Sequence, residues 1–402
     1  MTYESPSSAT DAVPPRRTPF LVYRDRIGAP SELAFLRRQY LGFTRLQPVW
    51  TGRTLLPLAP EVGTRLLRLG GDGLLGGVRR RLFRHLGVAP PIPIAGLAPV
   101  VHAQFARGGA LALPLVRALT AKLVVTLHGG DVGKDKNWSG TVLARRFPAM
   151  LEATSHFVCV SATVAALAAR RGIPDRKLVV LPIGVEVPDR PPPAPANPTY
   201  HLFVGRFVEK KGIAVIAEAM RRLRASGDPA PLVCVGDGPL RPMLEALARE
   251  IPGIELAGWL SPDQVQARMA GAWSLLVPSV IATNGDTEGL PSVVPEAMAQ
   301  GCAVIGSNEG GIAEAIQDNV TGLLIAPGDG AALAGAMAQV RDPAVRHRLA
   351  VAGFHAAATA LNARIQSAAL ETLLLATIAC PDKTGAASKR DCIGMISGSS
   401  GR

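Results

Sequence analysis

Short apolar runs alternate along this chain with longer segments in which apolar residues recur every three or four positions. The first pattern is typical of buried strands and the second of amphipathic helices. Runs such as Lys122–Leu127 (KLVVTL) and residues 273–279 (WSLLVPS) show no polar alternation, which indicates strands covered on both faces. Because strand and helix follow one another through most of the chain, the pattern predicts parallel sheets with helices on both sides.

A proline-rich run at residues 188–198 interrupts this alternation. So many prolines form neither a helix nor a central strand, and they predict a stiff linker between two α/β domains that face a cleft. Both ends of the chain are polar and are predicted to be disordered or frayed. The predicted organisation is a disordered tail (1–18), an N-terminal domain (19–187), the linker (188–198), a C-terminal domain (199–355), a helix returning to the N-terminal domain (356–380) and a second tail (381–402).

Two pairs of polar residues follow predicted strands. Glu288 lies in the loop after the second run quoted above, and Glu296 lies in the first turns of the next helix. His128 and Asp131 come directly after the first run, beside two glycines. Ligands of open α/β sheets bind beyond the carboxyl ends of the strands, so we expect one ligand site here, touched by both glutamates and by His128. Asp131 is either a further contact or a cap of the following segment.

The segment Gly205–Gly212 (GRFVEKKG) connects a predicted strand to a predicted helix. Arg206 and Lys211 add two cations beside the free N–H groups of a helix N-terminus, an arrangement that binds a diphosphate. Taken alone, the lysines are equally well explained as solvated residues at a helix start. The spacing of a P-loop is absent from the sequence, which disfavours a nucleotide-hydrolysing motor.

The two glutamates suit the hydroxyl groups of a sugar nucleotide. Glu296 can accept hydrogen bonds from the vicinal hydroxyls of a ribose, and Glu288 can do the same for a hexose. The backbone around Gly289, Leu290 and Pro291 offers further donors to sugar or phosphate oxygens. The alternative is that each glutamate only complements a helix dipole, which explains Glu296 better than Glu288.

Charge is unevenly distributed over the chain, whose formal net charge is +12. Residues 1–190 contain 26 basic and 12 acidic residues, a balance of +14, whereas the remaining 17 basic and 19 acidic residues give −2. The basic half either faces an anionic partner, such as a membrane surface, a lipid diphosphate or nucleic acid, or is only solvated. The arginines Arg79–Arg81 and Arg84 stand among apolar residues and form a basic amphipathic patch with the same two interpretations.

The five cysteines are scattered and show no CxxC spacing. This usage fits a reducing, cytoplasmic compartment. We identify no secretory signal, and no run of about 18 uncharged apolar residues predicts a transmembrane helix. Any membrane contact is therefore expected to be peripheral, on the inner face of the plasma membrane.

Several motifs of the second half occur together. They are GRFVEKKG at 205–212, VGDGP at 235–239, EGLPSVVPEAMAQG at 288–301, and GGIAE and TGLL within 310–324. In this combination the segment 200–330 resembles the retaining GT-B glycosyltransferases of family 4. The N-terminal half is similar to them through HAQFA and VVTLHGGDV, and within the family the chain looks most like the exopolysaccharide branch of colanic acid and amylovoran enzymes.

The resemblance implies the GT-B fold, two Rossmann-like doubly wound parallel-sheet domains around a central cleft. It implies a nucleotide-diphosphate sugar as donor, with no cofactor and no divalent metal. Retention is expected to proceed by front-face displacement, so neither glutamate acts as a covalent nucleophile. The resemblance also implies a role for each site residue. Gly205, Arg206 and Lys211 would bind the diphosphate, and Glu288, Gly289, Leu290, Pro291 and Glu296 would bind the ribose and the sugar. His128 and Glu288 would be catalytic, with Asp131 as a further site residue, and Gly28, Ser31 and Glu32 would belong to an acceptor loop.

The implied activity is transfer of a sugar to a saccharide or a polyprenyl-diphosphate-linked glycan in surface or exopolysaccharide biosynthesis. The expected partners are the nucleotide sugar, the glycan acceptor and an anionic membrane that contacts the basic half, with no nucleic acid. A GT-B-shaped epimerase, a phosphorylase or a non-catalytic nucleotide-sugar-binding subunit are the alternatives. An epimerase would convert the nucleotide sugar without an acceptor, a phosphorylase would need phosphate, and a non-catalytic subunit would bind the donor without turnover.

Overall fold

The computed structural model describes residues 17–27, 35–55, 65–92, 96–134, 138, 140–192 and 198–380. Over these residues strand and helix alternate as the hydrophobic pattern predicts, and they build two large parallel sheets. Nearly all of both predicted tails, part of the linker and the predicted acceptor residues Gly28, Ser31 and Glu32 lie outside the described residues.

The strands are short and mostly buried. Leu123, Val124 and Leu127 of the run predicted from its apolar pattern are fully buried. The strands are β1 (Thr18–Tyr23), β2 (Arg26–Ile27), β3 (Leu46–Gly52), β4 (Thr54–Leu55), β5 (Arg65–Arg68), β6 (Val100–Gln104), β7 (Lys122–Leu127), β8 (Thr154–Cys159), β9 (Leu178–Val180), β10 (Tyr200–Val204), β11 (Leu232–Val235), β12 (Ile254–Gly258), β13 (Ala272–Val277), β14 (Ala303–Ser307) and β15 (Leu323–Ile325).

The helices connect successive strands and cover both faces of the sheets. They are α1 (Gly73–His85), α2 (Ala106–Ala118), α3 (Gly130–Gly133), α4 (Val142–Ala153), α5 (Ala162–Arg170), α6 (Ile213–Ala225), α7 (Arg241–Glu250), α8 (Pro262–Ala270), α9 (Val293–Ala299), α10 (Gly310–Ala315), α11 (Gly330–Gln339), α12 (Pro343–Ala360) and α13 (Ala363–Ala379).

The order of the strands places a crevice in each sheet. The first sheet has the order β5-β3-β1-β6-β7-β8-β9 and the second the order β12-β11-β10-β13-β14-β15, and the neighbouring strands run parallel. The direction of winding reverses between β1 and β6 and between β10 and β13, and doubly wound sheets bind ligands at such points. This architecture confirms the two predicted doubly wound parallel sheets.

The chain passes between the two sheets twice, and the two crossings lie side by side. Val185 donates its N–H to Leu361 O at 2.8 Å and accepts from Ala363 N at 2.7 Å. The predicted single helix over 356–380 is divided at this crossing: α12 ends at Ala360, and α13 begins after Asn362, whose Oδ1 accepts from Arg364 N at 2.9 Å. The physical reason is that the backbone at the break pairs with the other crossing instead of continuing the helix.

The last helix packs on the first sheet. Glu371 of α13 accepts hydrogen bonds from the backbone N–H groups of Arg45 at 2.8 Å and Leu46 at 2.7 Å, at the start of β3. Leu370 and Leu374 of the same helix belong to the hydrophobic cluster under β1. Among the described residues, no helix combines the length and the apolar character that crossing a bilayer requires.

Candidate active site

The N-terminal wall of the cleft is organised around His128, which directly follows β7. Its Nε2 lies 2.9 Å from Gln104 Oε1, and the ring of Phe105 lies against the imidazole with centroids 4.2 Å apart and planes tilted by 33°. Protein surrounds most of the ring, although part of the residue remains accessible. Burial, followed by the charge of Arg24 and the neighbouring His102, lowers the pKa of His128 to about 3. His128 is therefore a neutral imidazole at physiological pH.

A chain of buried side chains lies behind this imidazole. Gln104 Nε2 donates to Gln39 Oε1 and to Tyr40 Oη, both at 2.8 Å. Tyr40 Oη lies 2.8 Å from His102 Nδ1, and His102 Nε2 lies 2.7 Å from Thr126 Oγ1. Each of these polar groups thus has a partner inside the protein, which a buried network requires for stability.

This network determines the tautomer of His128. Because the N–H groups of Gln104 are donated to Gln39 and Tyr40, only its oxygen faces the imidazole. An amide oxygen accepts, so His128 carries its proton on Nε2 and keeps the lone pair of Nδ1. Burial also keeps the network uncharged, since it lowers the pKa of His102 to about 3 and raises that of Tyr40.

Asp131 holds the backbone of the same wall. Its Oδ1 accepts from His128 N and its Oδ2 from Ala106 N, both at 2.9 Å, so one carboxylate joins the end of β7 to the start of α2. Burial raises the pKa of Asp131, against the effect of the backbone donors. Both oxygens are engaged by main chain, which points to a positioning role rather than to direct ligand contact.

Phe105 has a backbone conformation that side chains rarely adopt, with φ 67° and ψ 151°. Such a conformation costs about 1–3 kcal/mol and persists only where surrounding contacts determine it. The ring lies against the His128 imidazole on one side, and the guanidinium carbon of Arg24 lies 4.0 Å from its centroid. The strain is therefore located at the residue that packs directly on His128.

The C-terminal wall is organised around Glu288, in the loop between β13 and α9. The residue is only 9% exposed, and its Oε1 lies 3.1 Å from Lys211 Nζ and 3.4 Å from Lys210 Nζ. Burial by itself would raise the pKa of this carboxyl, but the two ammonium groups outweigh burial and hold the pKa of Glu288 below its ordinary value. Glu288 is therefore an ionised carboxylate between two cations.

A glycine allows the lysine turn to approach this loop. Gly212 is left-handed, with φ 71° and ψ 32°, and a Cβ there would lie 1.8 Å from Pro278 O. The close approach brings Lys211 beside the end of β13. The aliphatic part of the Lys211 side chain covers Gly205, where an added Cβ would lie 3.5 Å from Lys211 Cε. Arg206, the next residue, is exposed to solvent.

Glu296 lies in α9, but its partner comes from the other domain. Its Oε1 accepts from Arg38 Nη1 at 2.6 Å, and the two side chains are 21% and 15% exposed. The carboxylate expected to hold ribose hydroxyls is thus paired across the cleft with an arginine from a helical turn before β3. This ion pair is separate from the lysine cluster at Glu288.

The two walls touch through glycines. A Cβ on Gly129 would lie 2.8 Å from Gly289 N, and a Cβ on Gly289 would lie 2.5 Å from His128 O. Neither position admits a side chain at this separation. Nearby, Lys134 Nζ of the N-terminal domain lies 2.7 Å from Asp286 Oδ2 of the C-terminal domain. The loop that carries Glu288 therefore lies directly against the backbone of His128.

Most of the predicted site residues come together at this cleft. Leu290 and Pro291 continue the Glu288 loop into α9, where Pro291 O accepts from Val294 N at 3.0 Å. The acceptor residues lie outside the described part of the chain and stay predictions. The predicted residues found around the cleft are His128, Asp131, Gly205, Arg206, Lys211, Glu288, Gly289, Leu290, Pro291 and Glu296.

Sequence reasoning missed several residues of the site. Gln104 ends β6 at the same sheet edge as His128, so the rule that selected His128 could also have selected it. Lys210 is not among the predicted site residues, but it pairs with Glu288. Arg38 offers no local signal, because its partner Glu296 is 258 residues away.

Two family models match the chain. The model described as glycosyl transferases group 1 matches residues 198–342, which carry the lysine turn and both glutamates. The model described as glycosyltransferase family 4 matches residues 78–188, which carry His128 and Gln104.

Two of the curated relatives are named for polysaccharide biosynthesis. The chain is 32% identical over 257 residues to the putative colanic acid biosynthesis glycosyltransferase WcaL of Salmonella typhimurium, covering 60% of this chain and 61% of the relative. It is 30% identical over 251 residues to the amylovoran biosynthesis glycosyltransferase AmsK of Erwinia amylovora, covering 60% of each. The chain thus aligns with about three fifths of the length of these relatives.

Solved structures share the fold over most of the chain. The sucrose-phosphate synthase of Thermosynechococcus elongatus aligns with a TM-score of 0.68 at 23% identity, covering 89% of this chain and 98% of that one. Anabaena HepE in complex with UDP and glucose aligns with a TM-score of 0.69 at 16% identity, covering 90% and 100%. At these identities the likeness concerns the fold alone. The two family models and the two-sheet architecture together show that the chain belongs to the family-4 glycosyltransferases of the GT-B fold.

Proposed function

We propose that the protein is a retaining glycosyltransferase that moves a sugar from a nucleotide-diphosphate donor to a saccharide or polyprenyl-diphosphate-linked glycan in exopolysaccharide biosynthesis. One observation carries the proposal: the ionised Glu288, held by Lys210 and Lys211, lies in a loop packed against the backbone of the neutral His128. The similarity to WcaL and AmsK supports the pathway class.

The donor is proposed to bind at the reversal point of the second sheet. Lys211 and Arg206, with the bare backbone of Gly205, follow β10 and would bind the diphosphate, while Glu296 would hold the ribose. Within the described residues, Thr287 Oγ1 is buried without a hydrogen-bond partner, as are Ser279 Oγ and Ser307 Oγ near the ends of the adjacent strands. A buried polar group left unpaired costs about 1–3 kcal/mol, so hydroxyl and phosphate groups of a donor would relieve this cost.

The proposed reaction exchanges one bond at the anomeric carbon for another on the same face. The bond from the anomeric carbon to the diphosphate oxygen breaks while the acceptor oxygen bonds to that carbon, and the acceptor proton passes to the departing phosphate oxygen. Lys211 and Arg206 stabilise the charge that develops on the leaving group. Glu288 and the Nδ1 lone pair of His128 hold hydroxyls of the transferred sugar, so Glu288 forms no covalent bond to it.

The reaction is proposed to take place in the cytoplasm. Cys159, Cys234 and Cys302 are buried free thiols, which supports a reducing compartment. Because the lysines and Arg206 supply the positive charge at the diphosphate, we expect turnover to survive removal of divalent ions with EDTA.

The test begins with UDP, GDP and ADP, since a ligand that binds only the folded protein raises its melting temperature. Nucleotide sugars of the stabilising nucleotide are then assayed for release of the nucleotide, with and without glycan acceptors. We expect Lys211→Ala to lower turnover strongly and Arg221→Ala, which removes an exposed pair with Glu250, to leave it unchanged.

Three outcomes would contradict the proposal. Epimerisation of the donor without an acceptor would identify an epimerase. Donor binding without turnover on any acceptor would identify a non-catalytic subunit. Normal turnover of the Lys211→Ala variant would show that the diphosphate binds elsewhere.

A further inference from the structure

Helix α1 and its C-cap residue Leu86 carry an apolar stripe on the solvent side. Leu74, Leu75, Val78 and Leu86 are 93%, 73%, 52% and 71% exposed, and Leu82 is 36% exposed. At about 100° per residue, these five side chains fall within one arc of roughly 120° on the helix. Solvent-exposed helix faces are normally polar, and a contiguous apolar surface of this kind marks an interaction site.

The inner side of α1 is fixed, so the stripe cannot turn inward. Phe83 is fully buried, and its ring centroid lies 6.1 Å from that of Tyr23. Gly76 packs against the preceding turn, where a Cβ would lie 2.3 Å from Gly71 O. Near the end of the helix, Arg146 Nη2 donates to Arg84 O at 3.2 Å.

Arginines border the stripe on both sides. Arg79 and Arg81 are exposed, and the helical angle places each about 20° beyond opposite ends of the apolar arc. An apolar face bordered by cations is the arrangement of a helix that lies in the interface of an anionic bilayer. Residues 1–190, which include α1, have a net charge of +14, and this charge attracts the domain to an anionic membrane surface from a distance.

The place of α1 in the fold connects this face with the cleft. The helix begins just beyond β5, at the carboxyl edge of the first sheet, and the same edge carries Gln104, Phe105 and His128. A bilayer in contact with the stripe would therefore lie on the domain that contributes the N-terminal wall. A lipid-linked acceptor in that bilayer would lie next to the domain that carries this wall.

We propose that α1 docks the protein on an anionic membrane, with Leu74, Leu75, Val78, Leu82 and Leu86 in the bilayer interface and Arg79 and Arg81 against lipid phosphates. This inference deepens the proposed function by naming the surface on which the acceptor is presented. It does not depend on catalysis, because the stripe and its arginines are separate from the residues assigned to the donor.

The test is flotation of the full-length protein with phosphatidylcholine vesicles and with vesicles that also contain phosphatidylglycerol. We expect binding to the anionic vesicles that weakens as salt is raised, and little binding to the neutral ones. Neutralising two arginines in Arg79→Gln/Arg81→Gln should lower the vesicle affinity about 25-fold, from roughly 1 kcal/mol for each charge. Leu74→Ser/Leu75→Ser should lower it about 10-fold or more.

Matched controls separate docking from general charge and from misfolding. Arg107→Gln/Arg117→Gln removes two exposed arginines from α2 of the same domain, and Met243→Ser removes a 42% exposed apolar side chain from α7. These variants should change vesicle affinity by a few-fold at most. All variants should keep the melting temperature and the stabilisation by nucleotide, so a failure of docking is distinguishable from a failure of the proposed activity.

Three results would overturn the proposal. The first is that the wild-type protein does not bind anionic vesicles, and the second is that the stripe variants bind them as well as their controls do. The third is that the stripe holds a second copy of the chain: light scattering would then show a dimer that Leu74→Ser/Leu75→Ser dissociates while vesicle binding is unchanged.

Discussion

The two walls of the cleft are held together by different kinds of interaction. On the N-terminal wall, His128 is supported by uncharged groups: Gln104, Tyr40 and His102 form a chain of hydrogen bonds, and all of them are buried or largely buried. On the C-terminal wall, Glu288 is held by ion pairs with Lys210 and Lys211.

The difference indicates which wall is rigid and which is exchangeable. Neutral hydrogen bonds inside a protein are directional, and a buried group loses much when its partner is removed, so the N-terminal wall is held in one geometry. The ion pairs of Glu288 join largely buried charges, so a ligand that replaces one partner has to bring charges or hydroxyls of its own. The C-terminal wall is therefore suited to bind a charged donor.

Two buried carboxylates make the contrast sharper. Asp131 accepts only backbone N–H groups, and burial raises its pKa. Glu288 is also buried, but two ammonium groups lower its pKa. On the N-terminal wall, the backbone dipoles around Asp131 do not cancel the effect of burial, so its pKa rises. On the C-terminal wall, the full charges of the two lysines outweigh burial, so the pKa of Glu288 falls.

The largest effect is expected from removal of the charge on the C-terminal wall. Glu288→Gln keeps the shape of the side chain but loses its negative charge, and we expect turnover to fall about 10²–10³-fold, the loss typical of a preorganised electrostatic contact. Release of nucleotide from the donor measures it. Glu250→Gln, an exposed carboxylate paired with Arg221, serves as the matched control. Near-normal turnover of Glu288→Gln would show that the site lies elsewhere.

A smaller effect is expected from breaking the N-terminal wall. Gln104→Leu removes the acceptor that holds His128 Nε2, and misplacement of the imidazole should lower kcat up to about 10²-fold with a smaller change in KM. The melting temperature separates this loss from unfolding. If kcat is unchanged, Gln104 does not position His128.

Gln104→Glu tests the same wall through pH. A carboxylate beside Nε2 stabilises the imidazolium, so the pKa of His128 should rise from about 3. If turnover requires a neutral His128, the turnover of the variant should fall as pH decreases through the new pKa. The wild type should show no such fall over the same pH range. Identical pH profiles of the two proteins would contradict the proposed protonation state.

The ion pair between the walls should have a modest effect. Arg38→Gln releases Glu296 from a partly exposed pair that is worth roughly 0.2–1 kcal/mol. We expect nucleotide affinity to rise by about two- to five-fold, since the ribose no longer competes with the arginine. Calorimetric titration measures it. A marked loss of affinity would instead show that Arg38 contacts the donor.

The smallest effect concerns acid stability. The pKa of Glu288 is lower in the folded protein than in the unfolded chain, where it is about 4.3. Its ionised form therefore stabilises the folded protein above pH 4.3, and this stabilisation is lost as pH falls through the folded pKa. Lys211→Ala should reduce this contribution at neutral pH, by roughly 1–3 °C in melting temperature, and the difference from the wild type should shrink toward pH 3. A difference that is constant with pH would exclude the ion pair as its cause.

The sequence predicted the main features of the fold and several residues of the candidate site. Non-alternating apolar runs located the strands, and residues just beyond them identified His128 and Glu288. The division of the last helical segment could not be predicted, because it arises from the pairing of Val185 with the backbone around Asn362. The membrane interpretation of the arginine patch stayed open, because the pattern alone does not show which side of α1 faces the core.

By itself, the sequence determined the alternation of strand and helix, the division into two domains and the chemical types of the groups at the strand ends, since these depend on local periodicity and on the rule that sheets bind ligands at one edge. Only the tertiary structure decided the partners of those groups. Glu296 meets Arg38, Asp131 bonds the backbone, Gln104 selects the tautomer of His128, and the leucines of α1 face solvent. The physical reason is that pKa, pairing and exposure depend on neighbours brought together from distant parts of the chain.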